Sequence, residues 1–209
     1  MLYSDGMPAK TKLRRLPRQP RGRRRVEALL NAAADEIKGA GYDAATMCSI
    51  AERAGASIGS LYQFFPNKVA IVQALRQSYC DEFELMWRPV AKNAKALSWK
   101  EVVAKWVDST VVFVERHPAF LALLDAPPTT HLPVATRKRF QNMVASSFLA
   151  RCPRLSRNKA LRLATMTLQM IKAMNILYRD LSPRDRRAYV REFKILLECY
   201  LERQVKHPI

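Results

Sequence analysis

Residues able to contact a phosphate or a base edge are concentrated between Ser57 and Lys68, where hydroxyl, amide and ammonium groups alternate with apolar side chains. Hydroxyl groups at the start of a helix lie beside free backbone N–H groups, and these donors suit the oxygens of a phosphodiester. Tyr62 can donate to a phosphate, and Gln63 can pair with adenine or with a phosphate. Gly59 would let a nucleic-acid backbone approach closely because it has no side chain. This combination of groups favours contact with DNA.

Two short helices joined by a tight turn are predicted to position these groups. Thr46 is a good N-cap for the first helix. Gly55 suits the turn, because a left-handed conformation costs a residue with a β-carbon about 1 kcal/mol or more. Ser57 is placed to cap the second helix, and Pro66 cannot continue it. A helix-turn-helix over residues 46–65 suits insertion into the major groove of DNA.

The rest of the chain also carries helical patterns, so the predicted fold class is all-α. Apolar residues recur at helical spacing from about Arg23, and no alternation typical of strands occurs. We predict a basic disordered arm (1–22), a three-helix helix-turn-helix domain (23–75) and a larger helical domain (76–209). Predicted helices with both ends marked cover residues 58–64, 119–124, 134–150, 157–181 and 183–204, and a further helix runs from Asn67 toward Met86.

A longer pattern of residues surrounds the two short helices: Thr46-x3-Ile50-Ala51-x2-Ala54-Gly55-x-Ser57-x-Gly59-x2-Tyr62-x2-Phe65-x2-Lys68. This pattern resembles the DNA-binding domain of the tetracycline-repressor (TetR) family, and the match covers about residues 23–75. The resemblance implies a sequence-specific, ligand-responsive repressor that binds a palindromic operator as a homodimer and uses its C-terminal domain for ligand binding and dimerisation.

The resemblance also assigns roles to single residues around the second short helix. It implies phosphate contacts for Thr46, Ser60, Tyr62 and Lys68. It implies an approach to base edges for Ile58, Gly59, Gln63 and Phe64, and Ser57 completes the predicted DNA-binding set. Phe64 departs from the family pattern, which often has a His or Tyr there, so Phe64 can offer only van der Waals contact. Cys48 likewise replaces a residue that is often polar or basic.

The charge of the chain is distributed unevenly. The formal net charge is +18, made up of +8 for residues 1–25 (nine Lys/Arg, one Asp), −2 for residues 26–75 (three basic, five acidic) and +12 for residues 76–209 (24 basic, 12 acidic). The helix-turn-helix is therefore not the electropositive part. General phosphate attraction must come from the arm and from a partner subunit, although the arm could equally be a solvated tail.

Other functional classes find little support. The four Cys and three His are far apart and show no CxxC or HExxH spacing, so neither a zinc site nor a disulfide framework is expected. No nucleophile–base pair or Gly-rich phosphate loop indicates an enzyme, and no cofactor is expected. The longest uncharged apolar stretch in the C-terminal half is far too short to span a membrane, so we expect a cytoplasmic protein. A non-specific architectural DNA-binding protein is the alternative.

The last two predicted helices differ in their apolar patterns. The final helix has a single apolar stripe, whereas the helix before it is apolar around nearly its whole circumference and needs burial on more than one side. The resemblance implies that both helices form a four-helix dimer interface, although an entirely intramolecular core would also bury them. The predicted interface residues are Leu168, Ile171, Tyr189, Phe193, Leu196, Leu197 and Tyr200.

Methionine and aromatic residues in the middle of the chain could line a ligand pocket, because methionine adapts to irregular apolar ligands. No acidic residue occurs between Asp125 and Asp180, where ten basic residues occur. We therefore expect a small apolar effector that is anionic or neutral, although these cations could form only a solvated face and the pocket residues only an ordinary core. The predicted pocket residues are Trp87, Trp106, Phe113, Phe120, Met143, Met166, Met170 and Met174.

Overall fold

A computed structural model describes residues 20–206 of the chain, and within them the secondary structure is entirely helical. Two 3-10 turns, Leu123–Asp125 and Pro128–Thr130, lie between α6 and α7. Among the helices of residues 20–206, none combines the length and the apolarity that a membrane span requires. The helices are α1 (Pro20–Ala44), α2 (Met47–Arg53), α3 (Ile58–Phe64), α4 (Lys68–Asn93), α5 (Trp99–Arg116), α6 (Pro118–Ala122), α7 (Val134–Arg151), α8 (Arg157–Asp180) and α9 (Pro183–Lys206).

The described residues fall into two compact units. Unit 1 contains the chain up to Ser78 together with Ala122–Leu132, and unit 2 contains Tyr79–Leu121 and the chain from Pro133 onward. The segment 122–132 belongs to unit 1 because Gln73 Nε2 donates to the carbonyl of Thr129 at 2.8 Å and α1 contacts the 3-10 turn that begins at Leu123. Sequence alone did not place this segment with the N-terminal helices.

Unit 1 is built around the small core between α1, α2, α3 and the first turns of α4. Helix α1 packs on α2, and α2 packs on α3. The apolar stripe of α1 and the apolar positions of α2 and α3 fill this core, which explains why such short helices are stable. Its fully or almost fully buried side chains include Leu29, Ala33, Ile37, Ile50, Ala51, Leu61, Phe65, Ile71 and Val72.

The predicted caps fix the ends of these helices. Thr46 Oγ1 accepts from the backbone N–H of Ser49 at 3.0 Å, and Asn67 Oδ1 accepts from Ala70 at 2.9 Å. Gly41 has φ of +81° where the helical geometry of α1 is interrupted. The cap at Thr46, the terminator at Gly41 and the predicted span of α3 are therefore confirmed.

Unit 2 has a larger core formed by parts of α4, α5, α7, α8 and α9. Helix α7 packs along α8, and α9 packs against α5 and α8. The side chains of Trp87 and Trp106 stack at the centre with ring centroids 5.5 Å apart. The buried cluster also includes Val102, Val103, Val107, Val144, Phe148, Leu163, Ala164, Ile171, Met174, Leu197 and Leu201.

Three boundaries differ from the sequence prediction. Helix α4 continues to Asn93 although Pro89 lies inside it and removes one backbone donor. Helix α6 ends at Ala122 and tightens into a 3-10 turn instead of continuing to residue 124. Residues 20–22, which we assigned to the disordered arm, form the first turn of α1, where a proline is tolerated. The rest of the predicted arm lies outside the described residues.

Candidate functional site

The turn between α2 and α3 is set by Gly55, whose φ of +57° lies in the left-handed region. The backbone N–H of Ala56 donates to the carbonyl of Ala51 at 2.9 Å and closes the turn. Ala51 is itself almost fully buried, so its small side chain lets α2 and α3 pack closely. Leu61 and Phe65 are fully buried and anchor the inner face of α3. The opposite face of α3 is thereby directed away from the core.

The outward face of α3 collects most of the predicted base-contacting residues. Ile58 and Tyr62 are 39% and 44% exposed, although large apolar side chains are usually buried. Gly59 and Gln63 are also exposed, and the four positions share one face because they are spaced as i, i+1, i+4 and i+5. Phe64 is only half-buried, and its position on the helix lies outside this face, on the side away from Ile58 and Tyr62. The structure brings Ile58, Gly59, Tyr62 and Gln63 together as one surface, and it does not place Phe64 on that surface.

Gly59 has no structural reason within the protein to be a glycine. Its φ is not positive, and a β-carbon added at this position would meet nothing within 4 Å. A glycine inside a helix is about 0.5–1 kcal/mol less favourable than alanine. The protein itself could therefore accommodate a side chain at this position, and the glycine leaves room for the close approach of a ligand backbone.

The hydroxyl groups of Thr46 and Ser57 cap short helices and are also exposed at the protein surface. Ser57 accepts from the backbone N–H of Ser60 at 3.2 Å, which confirms it as the N-cap of α3. Thr46 Oγ1 also donates to Ser49 Oγ at 3.1 Å, and both side chains belong to the capping box of α2. Thr46 and Ser57 nevertheless remain exposed at the starts of the two short helices. Their predicted DNA contacts therefore require hydroxyl groups that already bind the backbone.

Lys68 has a structural role that sequence reasoning missed. Its Nζ donates to the carbonyl of Tyr42 at 2.7 Å and to that of Asp43 at 3.0 Å. The ammonium group also lies 4.4 Å from the centroid of the Tyr42 ring. Lys68 thus joins the start of α4 to the end of α1. An ammonium group has three donors, so one donor remains for the phosphate contact that we predicted.

Both cations of the segment 46–68 are engaged within unit 1. Arg53 Nε lies 2.8 Å from Glu36 Oε2, and Arg53, followed by Ser49, lowers the pKa of this carboxyl through hydrogen bonds. The second cation is Lys68, described above. The segment therefore presents shape and polar contact positions at its surface, and both of its positive charges are already engaged within the protein.

Two family models match the chain over most of its length. Residues 29–75 match the model of bacterial regulatory proteins of the tetR family, and residues 98–201 match a tetracyclin repressor-like C-terminal domain. The chain belongs to the TetR family. It is a DNA-binding transcriptional regulator of a family of ligand-responsive repressors, and members of this family are not enzymes.

Solved structures of TetR-type regulators share this fold. A TetR-family regulator from Streptomyces coelicolor is 23% identical with a TM-score of 0.63, and the match covers 86% of this chain and 98% of that one. The fatty acid degradation regulator FadR from Bacillus halodurans is 17% identical with a TM-score of 0.69, covering 87% and 96%. A TetR variant from Acinetobacter baumannii AYE is 14% identical with a TM-score of 0.65, covering 91% and 97%. Comparison with curated protein sequences finds no match.

An aromatic cluster in unit 2 of this TetR-family protein contains four of the eight predicted pocket residues, which are Trp87, Trp106, Phe113 and Phe120. The Phe113 ring packs against Phe83 at 3.9 Å and against Phe120 at 5.3 Å between centroids. Tyr79 and Phe83 belong to the cluster although we did not predict them, and their i, i+4 spacing with Trp87 on α4 could have indicated it.

The other predicted pocket residues divide by burial. Met174 is buried in the core of unit 2, and Met143 and Met170 pack against that core. Met166 is 47% exposed, so it faces away from the interior.

Carboxylates from α4 lie next to this aromatic cluster, and each is paired with a basic side chain. Glu82 Oε2 lies 2.9 Å from His117 Nε2, whose ring packs 5.2 Å from that of Tyr79. Asp81 and Glu84 both pair with Arg139 of α7, at 2.6 Å and 2.9 Å. Our sequence argument counted acidic residues only between 125 and 180 and missed these groups, because they lie more than 40 positions earlier on α4.

The outer faces of α8 and α9 form an exposed apolar surface in a single subunit. Of the predicted interface residues, Tyr189 and Leu196 are exposed, and Leu168, Phe193 and Tyr200 are partly buried against the core of unit 2. Ile171 and Leu197 are instead buried within that core, so they have almost no area left to contact a partner. The sequence prediction missed four exposed apolar residues, which are Met166, Ile176, Leu177 and Ile195.

Proposed function

We propose that this regulator binds a palindromic operator as a homodimer and reads each half-site with the outward face of α3. The observation that carries the proposal is Gly59, which lies on that face, has open space beside it and has no internal reason to lack a side chain. Exposed Ile58, Tyr62 and Gln63 surround it. A surface that combines apolar, hydroxyl and amide groups around a glycine suits close contact with a groove of DNA.

The contact roles divide by position. We propose phosphate contacts for Ser60, Tyr62, Lys68 and Thr46, with Ser57 beside them. We propose that Ile58, Gly59 and Gln63 on the outward face approach the base edges, together with the half-buried Phe64. Exposure of these side chains, together with the fixed geometry of the turn, supports this division.

Selection of DNA from a random pool tests the proposal. Wild-type protein should enrich a palindrome whose half-sites lie about 10 base pairs apart or at a multiple of that spacing. Gln63→Ala should relax base preference at one position of each half-site, whereas Tyr62→Phe should weaken binding to all sequences to a similar degree. An unchanged preference in Gln63→Ala would remove Gln63 from base readout, and the absence of an enriched palindrome would contradict the proposal.

Dimerisation is supported by the exposed apolar residues of α8 and α9. Isolated exposed apolar side chains are ordinary, but a cluster on two adjacent helices is typical of a protein interface. Met166 and Leu177 lie on α8, and Ile195 and Leu196 lie on α9, which packs against α8. A dimer with its twofold axis through this surface would present two symmetry-related copies of α3, one for each half of a palindromic site.

We further propose that unit 2 holds a small apolar effector that is anionic or neutral. The aromatic cluster supports an apolar ligand, and the neighbouring carboxylates are already paired with Arg116, His117 and Arg139. Among structural relatives, one is a fatty acid degradation regulator and another was solved in complex with minocycline. Effector binding would favour the state of the dimer to which the ligand binds more tightly and thereby change DNA occupancy.

Three probes that share a twelve-carbon chain test the charge preference of this site. Dodecanoate, dodecanol and dodecyltrimethylammonium differ mainly in head-group charge, and tryptophan fluorescence reports on Trp87 and Trp106 inside the cluster. We expect dodecanoate or dodecanol to bind more tightly than the ammonium compound. Tighter binding of the ammonium compound would contradict the proposed charge class but leave the apolar site in place.

A non-specific architectural DNA-binding protein remains the alternative function, and the large positive charge favours it. Such a protein would bind random and selected duplexes with similar affinity.

As a regulator of genes, the protein should act in the cytoplasm, where bacterial DNA is found. We place the functional division near residue 75, with DNA recognition before it and ligand binding and dimerisation after it.

A further inference from the structure

Unit 2 has a strongly basic surface that the recognition helix and the effector site do not use. Residues 92–100 contain three lysines and no acidic residue, and residues 151–162 contain five cations and no acidic residue. Among residues 20–206, no ion pair with a carboxylate involves any of these eight cations. We call these two segments together the basic patch.

The two segments of the basic patch lie side by side at one end of unit 2. Arg151 at the end of α7 donates through Nη1 to the carbonyl of Ala94 at 3.1 Å, and its guanidinium lies 4.8 Å from the Trp99 ring. Trp99 in turn packs against Phe148 of α7 with ring centroids 5.5 Å apart. These contacts join the loop between α4 and α5 to the loop between α7 and α8. Charges far apart in sequence are therefore neighbours.

Six of the eight cations of the basic patch are exposed, which are Lys92, Lys95, Lys100, Arg154, Arg157 and Arg162. Within residues 20–206, the side chains of Lys95, Arg154 and Arg157 form no helix-capping hydrogen bond. The acidic residue that follows the first segment is Glu101, whose carboxylate is already bound to the Ser98 backbone N–H at 2.7 Å. So many like charges repel one another in the isolated subunit, and an anionic partner would relieve this repulsion.

The chemistry of the patch fits a phosphate backbone better than a protein or lipid surface. Of the large apolar side chains exposed within residues 20–206, none lies in either segment of the patch. Protein interfaces and membrane-binding helices both rely on such apolar groups. The exposed neutral residues among the cations are instead Asn93, Ser98, Ser156 and Asn158, and hydroxyl and amide groups of this kind commonly contact phosphates.

We propose that the basic patch is a second DNA-contacting surface, which binds the phosphate backbone of double-stranded DNA without sequence preference. It is distinct from the helix-turn-helix, which belongs to a segment (26–75) with a net charge of −2. Such contacts release counterions, so they strengthen binding at low salt and lose strength as salt rises. The proposal goes beyond operator recognition, because sequence preference stays with α3.

The test compares two triple variants with the same change in charge. The patch variant carries Lys95→Gln, Arg154→Gln and Arg157→Gln. The control variant carries Arg137→Gln, Lys138→Gln and Arg184→Gln, which change exposed cations of unit 2 outside the patch. Binding of each protein to a random-sequence duplex of about 30 base pairs is measured across a range of salt concentrations. The chosen length exceeds one operator-sized site.

The expected result is specific to the patch variant. Each lost phosphate contact reduces the magnitude of the slope of log K against log salt by about 0.9. The patch variant should therefore lose roughly two to three units for each subunit whose patch contacts the duplex, and the control variant much less. Equal slopes for the two variants would overturn the proposal. If the patch variant instead lost binding to polyglutamate or to phosphatidylglycerol vesicles while DNA binding stayed unchanged, an acidic protein or lipid would be the partner and the proposal would be wrong.

Folding and the proposed operator function are controlled separately. Thermal unfolding should show the patch variant at least as stable as wild type, because neutralisation removes repulsion. If it unfolds, Arg154→Gln and Arg157→Gln are measured singly, with a loss of about one slope unit each. A failure of operator recognition would appear as wild-type protein without sequence preference, whereas a failure of this inference would appear as equal slopes with that preference intact.

Discussion

Substitution of Gly59 by alanine should affect stability and DNA binding in opposite directions. A β-carbon at this position meets no atom within 4 Å, and the backbone is helical. Alanine therefore adds no clash and removes the conformational freedom that glycine has in the unfolded chain. The expected gain is up to about 1 kcal/mol in the free energy of unfolding. For a chain of this size, 1 kcal/mol corresponds to a rise in Tm of roughly 2–4 °C.

The same methyl group should weaken DNA binding because it separates α3 from the groove. A disturbed contact at one base pair typically costs about 1–3 kcal/mol, so affinity for the duplex selected from a random pool should fall at least about tenfold. Fluorescence anisotropy with that duplex measures the loss, and thermal unfolding measures the gain. Unchanged affinity would refute the close approach at Gly59, and a lower Tm would refute the open space beside it.

Gly55→Ala is the matched control for this experiment. The same methyl group also meets no atom within 4 Å there, but φ is +57°. A residue with a β-carbon in that conformation costs about 1–2 kcal/mol, so Tm should fall. Two identical substitutions four residues apart should therefore move Tm in opposite directions. Equal shifts would show that backbone conformation does not govern stability at these sites.

Three further predictions concern residues outside that turn. Lys68→Met should lower the free energy of unfolding by roughly 1–3 kcal/mol, since it removes two hydrogen bonds to carbonyl oxygens and one cation–π contact. Chemical denaturation measures this loss, and an unchanged free energy of unfolding would contradict the structural role of Lys68. Leu196→Glu should convert the dimer into monomers in sedimentation experiments because it places a charge on the exposed apolar surface, and a stable dimer would move the interface elsewhere. Alkylation at pH 8 should spare Cys80, because burial raises the pKa of its thiol to about 11 and leaves little thiolate. Cys48, which is exposed on α2, should react quickly, whereas Cys199, exposed beside Leu196, should react mainly after the dimer dissociates; equal rates at both exposed thiols would argue against the interface.

Local signals in the sequence were sufficient to predict the DNA-binding helices. The span of α3 follows from Ser57 at its start and Pro66 beyond its end, and the turn before it follows from Gly55. These residues act through their own backbone conformations and hydrogen bonds, which depend little on distant parts of the chain. The sequence consequently predicted the position of the recognition helix correctly.

Features that depend on tertiary packing were harder to predict. Helix α8 is apolar on nearly all sides, so its sequence did not reveal that Met166 faces outward and Ile171 inward. The bonds of Lys68 reach carbonyl groups about 25 positions earlier. The carboxylates beside the aromatic cluster come from α4 and pair with Arg139 on α7. Each of these contacts joins segments that sequence periodicity treats separately.

The central claim is that α3 recognises a specific DNA sequence, and one competition experiment tests it most directly. Wild-type protein bound to the duplex selected from a random pool is challenged with random-sequence duplex at physiological salt. A sequence-specific regulator should prefer the selected duplex by about 10³ or more, and Gln63→Ala should reduce that ratio. A ratio close to one for the wild-type protein would contradict the claim and identify the protein as a non-specific DNA binder.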